Sequence, residues 1–105
     1  MDKIGIIGAG AWGTALAILA QRAGRHVQIW ARESEVAKAI NSDKENTFFL
    51  SGVILPPGIR ATTDLCEAAR VDALMLVVPS QYLREICRAL VPHLDPSIPV
   101  IICSK

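Results

Sequence analysis

KIGIIGAGAWG, running from Lys3 to Gly13, joins a short apolar segment to a glycine-spaced turn and then to the first residues of a helix. Lys3–Ile7 predicts a strand that ends on glycine. Ala11–Arg22 is rich in alanine and leucine and free of proline, which predicts a helix, and Gly24 stands where a glycine stops one. Gly8, Gly10 and Gly13 make the pattern GxGxxG. Such a hexapeptide arises by chance often enough to mean little alone. Here it follows a strand, opens a helix and lies inside a βαβ unit of about 30 residues, the setting that gives it meaning. Gly8 permits the tight turn, Gly10 lets backbone approach a ligand without a Cβ between them, and Gly13 lets the helix pack against the sheet. The amides of the first helical turn, assisted by the helix dipole, then suit an anion. A dinucleotide pyrophosphate is the expected ligand, the alternative being glycines that serve only a sharp turn.

Outward from this unit, Val27–Trp30 predicts a second strand, and Ser34 is placed to cap a short helix with Val36, Ala37 and Ile40 on one face. Residues Asn41 to Ile59 are irregular, with Gly52, Pro56, Pro57 and Gly58 as punctuation. A loop that long in a small domain is usually functional. Ile59–Thr62 predicts a third strand, and Asp64 with Glu67 a capping pair for a helix reaching about Arg70. The apolar run Ala73–Val78 predicts a strand buried on both faces. Ser80 is expected to cap a helix to Leu90 whose core face is Leu83, Ile86, Cys87 and Leu90, and Val100–Cys103 predicts a fifth strand. The fold class is therefore α/β, a Rossmann-type doubly wound parallel sheet in the order 3-2-1-4-5, with residues 1–105 forming one domain.

The bulk numbers agree. A chain of 105 residues with 51% hydrophobic and 20% charged residues can bury a core and is unlike a disordered segment. Eleven basic and ten acidic residues give a net charge of +1 with no basic stripe, which argues against nucleic acid as partner. No signal sequence opens the chain and no apolar run is long enough for a membrane span, so a cytoplasmic location is expected. Cys66, Cys87 and Cys103 are odd in number and in no CxxC pair. They predict neither a disulfide framework nor a metal site, and read as small buried hydrophobes. His26 and His93 have no partner at a catalytic spacing and read as surface or satisfied side chains.

At the end of the second predicted strand, an acid would accept a hydrogen bond from the ribose 2′-OH of NAD, whereas arginine accommodates the 2′-phosphate of NADP. The sequence there is Trp30-Ala31-Arg32-Glu33. Arg32 favours NADP slightly over NAD, although Glu33 could turn inward and a solvated strand-end charge remains the plain alternative. Trp12 could pack over a cofactor or fill the core. Phe48 and Phe49 could cover a ligand or merely anchor their loop. Ser80 and Lys105 would by default be a helix cap and a solvated charge.

Taken in order along the chain, GAGAWGTALA from Gly8 to Ala17, WAR from Trp30 to Arg32, Asn46 followed by Phe49-Leu50, VPS from Val78 to Ser80 and CSK from Cys103 to Lys105 resemble the motifs of the bacterial NAD(P)-dependent glycerol-3-phosphate dehydrogenase family. The resemblance spans the whole chain. It implies hydride transfer between NAD(P)H and dihydroxyacetone phosphate to give sn-glycerol 3-phosphate for phospholipid synthesis. It also implies that Ala11, Trp12, Arg32 and Phe49 line the cofactor site beside Gly8, Gly10 and Gly13, and that Lys105 touches both cofactor and substrate phosphate. The family commonly has serine in place of Ala11 and often tyrosine in place of Phe49. It places the general acid/base in a larger C-terminal helical domain. No catalytic residue is assigned in this sequence, which is expected to be a domain truncated at its C-terminal end and inactive unaided. Exposed apolar surface left where that domain would dock makes a homo-oligomer possible. A ketopantoate reductase or 6-phosphogluconate dehydrogenase relative, or a non-catalytic dinucleotide-binding module, are the alternatives.

Overall fold

Strands and helices alternate along residues 2–103, the part of the chain that the computed structural model describes. Strand β1 (Lys3–Ile7) leads into helix α1 (Ala11–Arg22), followed by β2 (His26–Trp30) and α2 (Ser34–Lys38), which widens into a π-helical turn over Ala39–Asp43. After a long loop come β3 (Ile59–Thr62), α3 (Leu65–Ala68), β4 (Ala73–Leu76), α4 (Ser80–Leu90), a 3-10 turn (Val91–His93) and β5 (Val100–Ile102). All strand pairs are parallel and the order is β3-β2-β1-β4-β5, as the alternation predicts.

Ile6 and Ile7 explain the two-sided core. Successive strand residues point to opposite faces, and both side chains are fully buried. Ile6 stands in register with Ile29 and Met75, on the face where Ala17 of α1 and Val36 and Ala37 of α2 pack. Ile7 stands in register with Trp30 and Leu76, on the face covered by Ala68 of α3 and by Ile86 and Leu90 of α4. Each fully buried isoleucine contributes about 2–3 kcal/mol relative to exposure. Trp30 keeps its indole N–H satisfied by donating to the Thr63 carbonyl at 3.0 Å.

Helix ends account for most differences from the sequence expectations. At the end of α1, Gly24 adopts φ +87°, its amide donates to the Gln21 carbonyl, and Arg25 donates to the Ala20 carbonyl. This Schellman motif places Gly24 one residue beyond the cap, Ala23. Ser34 and Ser80 do not cap their helices. Glu33 and Pro79 occupy the cap positions, and each serine is the first helical residue. The Glu33 carbonyl accepts from Val36 and Ala37, while the Ser34 hydroxyl turns towards Glu35. Asp64 does cap α3, accepting from the Cys66 amide at 2.9 Å, but Glu67 does not reciprocate. The Asp64 amide donates to the Thr62 hydroxyl instead, and Glu67 accepts from the Gln28 amide group at 2.9 Å, fastening α3 to β2. The helix stops at Ala68, short of Arg70.

The sheet edges differ. On β3, the Asn41 carboxamide pairs with Ala61 in both directions, donating to its carbonyl at 2.9 Å and accepting from its amide at 2.8 Å. On β5, Val100, Ile101 and Ile102 remain 42%, 51% and 58% exposed. The three cysteines are half-buried rather than buried, because Cys66 and Cys87 sit at the margins of their helices' packed faces and Cys103 follows the exposed edge strand. Pairing in β4 and β5 ends one or two residues earlier than expected, although the Val77 and Cys103 amides still donate to the Ile7 and Leu76 carbonyls. His26 and His93 lie at the surface.

The start of the chain is tied down by Asp72, whose carboxylate accepts from the amides of Lys3 at 2.9 Å and Asp2 at 3.0 Å. These donors, Lys3 first, hold its carboxyl below the usual carboxylate range. A depressed folded pKa lends stability that is complete above the unfolded value and is lost as pH falls through the folded one. The difference in urea midpoint between wild type and Asp72→Ala is therefore expected to be present at about pH 6 and to shrink as pH falls below the unfolded carboxylate value of about 4.

Candidate functional site

The strand order reverses between β1 and β4, and the carboxyl ends of these two strands are where an open α/β sheet binds ligands. A cleft of about 480 Å³ opens there. Gly10, Ala11, Trp12 and Gly13 line it from the start of α1, Val77 to Gln81 from the start of α4, and Cys103 from the end of β5.

The three glycines have distinct steric roles. Gly8 adopts φ +128°, and a Cβ on it would sit 2.1 Å from the Val77 carbonyl oxygen. A Cβ on Gly13 would sit 2.1 Å from the Gly8 carbonyl oxygen. These two contacts wedge the start of α1 against the β1–β4 junction, and both are with backbone, which has little room to yield. At Gly10 a Cβ would meet nothing within 4 Å. Nothing in the fold requires glycine at that position, so the bare backbone there presents open space to the cleft. The first-turn amides of α1 have no side-chain cap, since Gly10 is itself the N-cap. A backbone approached freely at Gly10, with uncapped donors behind it, fits an anionic group such as a pyrophosphate.

Asn46 ties the long loop to this turn. It is fully buried, and its carboxamide donates to the Ala9 carbonyl at 2.7 Å and to the Thr14 hydroxyl at 2.9 Å while accepting from the Phe49 amide at 3.2 Å. Thr14 is also fully buried, so the pair is satisfied internally. Sequence reasoning places Asn46 only within a motif; no pattern of spacing reveals this linkage, which joins residues 37 positions apart.

The remaining expected site residues are distributed as follows. Trp12 is 56% exposed at the cleft, which removes the core alternative. Phe48 and Phe49 are 58% and 50% exposed, so the loop is held by Asn46 and not by its rings; neither phenylalanine lines the cleft. Arg32 lies just past β2, outside the cleft lining, with its guanidinium 4.9 Å from the centroid of the Tyr82 ring in α4. Tyr82 is a contact that the sequence reading did not anticipate. Lys105 lies outside the described residues. Among the described residues no group of histidine, cysteine and carboxylate side chains could hold a metal ion, and no helix is long and apolar enough to cross a membrane.

A five-stranded parallel sheet in this order, with GxGxxG at its switch point, defines a nucleotide-binding α/β domain of the Rossmann type. The profile of one such family, NAD-dependent glycerol-3-phosphate dehydrogenase N-terminus, matches residues 3–105, and the chain belongs to that family. It is 54% identical over its whole length to glycerol-3-phosphate dehydrogenase [NAD(P)+] of Paramagnetospirillum magneticum, of which it spans 38%. Among solved structures it superposes on glycerol-3-phosphate dehydrogenase from Coxiella burnetii with a TM-score of 0.93 at 30% identity, covering 99% of this chain and 32% of that one. Ketopantoate reductase from Ralstonia eutropha is less similar, with a TM-score of 0.77 at 25% identity over 98% of this chain and 34% of that one. The chain thus spans about a third of the length of the relatives it matches.

Two sets of variants separate the structural residues from the open ones. Gly8→Ala and Gly13→Ala are each expected to cost about 2–4 kcal/mol in urea unfolding, because backbone must move to admit the methyl group. Gly10→Ala should change stability by no more than about 1 kcal/mol. Asn46→Ala, which orphans the Thr14 hydroxyl and the Ala9 carbonyl, is expected to cost about 2–4 kcal/mol. It should also accelerate hydrogen exchange of the Phe49 amide well beyond that of core amides in β1.

Proposed function

We propose that the chain binds NAD or NADP as the nucleotide-binding domain of an enzyme that transfers hydride between NAD(P)H and dihydroxyacetone phosphate, giving sn-glycerol 3-phosphate. The observation that carries the reading is the backbone at Gly10, where a Cβ would meet no atom of this chain, beside the uncapped first turn of α1. In this reading Gly8 and Gly13 shape the turn, Gly10 admits the pyrophosphate, and the amides of Ala11 and Trp12 donate to its oxygens. The Trp12 ring, exposed at the cleft, covers the bound dinucleotide. Arg32, at the end of β2, meets the adenosine ribose and favours NADP slightly. Phe49 and Lys105 enter on the family resemblance, Phe49 from the stapled loop and Lys105 as a contact to cofactor and substrate phosphate.

The nicotinamide of a bound cofactor would supply or accept the hydride. Reduction of the ketone also needs a proton on the substrate oxygen. Among the described residues that line the cleft there is no histidine, lysine, aspartate or glutamate. On the family resemblance we place the general acid/base outside residues 1–105, and read these residues as one domain of a longer dehydrogenase, in keeping with relatives about three times as long. Unpaired cysteines fit a reducing, cytoplasmic setting. The apolar exposure of β5 supports an association there, a homo-oligomer included.

Titration of the chain with NADH and NADPH, followed by quenching of tryptophan fluorescence, tests the reading. Saturable quenching is expected, with Gly10→Val lowering affinity at least about ten-fold by filling the approach to the pyrophosphate, while its thermal unfolding stays near that of wild type. Unchanged affinity in Gly10→Val would place the ligand elsewhere and overturn the assignment.

A further inference from the structure

We infer that Tyr82 is a positioning residue for Arg32 and that the pair, rather than Arg32 alone, sets the preference for a 2′-phosphorylated dinucleotide. This inference rests on the dinucleotide reading above. Arg32 follows Ala31, whose amide is held by the Thr62 carbonyl at 2.9 Å, so its backbone is fixed at the carboxyl end of β2. Its side chain alone would not be fixed. An arginine has many rotamers, and one at an exposed strand end samples them in solvent. The Tyr82 ring restrains it, since the Arg32 Cζ lies over the ring, 4.9 Å from its centroid. The ring has a firm base of its own, because the Tyr82 amide donates to the Pro79 carbonyl at 2.9 Å in the first turn of α4. Pro79, Ser80 and Gln81, immediately before it, line the cleft. The contact therefore joins the end of β2 to the start of α4 across the carboxyl end of β1, the strand that leads into the glycine turn.

The chemistry of a cation–π contact decides what this arrangement can recognise. A guanidinium drawn to the face of an aromatic ring by its charge keeps N–H donors that the ring does not engage, and these remain available for bonding to phosphate oxygens. Among the described residues, Arg32 has no carboxylate partner that would consume those donors. A ring that orders the cation while leaving its donors free raises affinity for a phosphate monoester on the adenosine ribose. It does much less for a ribose carrying a hydroxyl there, which adds no charge. The neighbouring Glu33 contributes its carbonyl to the start of α2, accepting from the Val36 and Ala37 amides.

The experiment is titration of the chain with NADPH and NADH in wild type, Tyr82→Ala, Tyr82→Phe, Arg32→Ala and the double alanine variant. Side-chain proton shifts of Arg32 are recorded in the unliganded protein. Tyr82→Ala is expected to lower NADPH affinity about three- to ten-fold and NADH affinity by less than two-fold. Tyr82→Phe, which keeps the ring face, should restore NADPH binding, and in the Arg32→Ala background removal of Tyr82 should have no further effect. The upfield ring-current shift of the Arg32 side-chain protons should vanish in Tyr82→Ala and persist in Tyr82→Phe. Equal losses for both cofactors in Tyr82→Ala would make the ring a general support for the cleft and overturn the proposal, as would intact NADPH preference in that variant. Wild-type protein that shows the ring-current shift yet binds neither cofactor would instead overturn the dinucleotide reading on which the proposal rests, a result separable from the other two.

Discussion

The backbone of Gly8 lies so close to the Val77 carbonyl, and that of Gly13 so close to the Gly8 carbonyl, that no side chain fits at either place. This double contact fixes where α1 begins relative to β1 and β4, and much else follows from it. With the helix start drawn against the strand ends, its first amides face the gap at the switch point and not the core. The cleft exists because α1 and α4 leave the sheet on opposite faces at that junction, one packing with Ile6 and the other with Ile7. The alternation of two adjacent isoleucines thus has a functional result as well as an energetic one. It holds apart the two helix starts between which a ligand has room.

Asn46 extends this constraint to a segment that has little regular structure. The loop between the π-helical turn and β3 buries few apolar side chains, Leu55 being its main contribution to the core. Burial alone would hold it loosely. One carboxamide compensates by making three hydrogen bonds, two of them to the turn and helix that form the cleft. A buried amide with its bonds made is strongly directional, since any displacement leaves polar groups unpaired in a dry environment. The loop therefore carries Phe48 and Phe49 at a defined position while both rings stay exposed.

How much of this was legible in the sequence depends on the range of the interaction concerned. The bounds of α1 and β3, the sheet order and the packed faces of α2 and α4 follow from local periodicity, glycine punctuation and the rules of parallel crossover, and the structure has them as expected. The caps were less legible because several polar side chains compete for the same amides. Thr62 takes the Asp64 amide that Glu67 was expected to take, and Glu67 is left to reach Gln28 on a neighbouring strand. Ser34 and Ser80 have the right residue type one position too late in the chain, since the residues before them already turn extended. At the candidate site, Gly8, Gly10 and Gly13 announce themselves by spacing. Asn46 and Tyr82 do not, because each acts on a partner far away in sequence and carries no pattern of its own.

The carboxamide of Asn41 has a wider effect than its two hydrogen bonds suggest. By offering Ala61 the donor and acceptor that a neighbouring strand would offer, it stands in for one peptide group of a sixth strand at the outer side of β3. Side chains that occupy an edge in this way block further strand addition. The opposite side of the sheet, at β5, has no such stopper among the described residues. The sheet is thereby polar as an assembly unit. Its β3 flank is blocked at Ala61, and growth by another strand, from whatever chain, is directed to the outer side of β5.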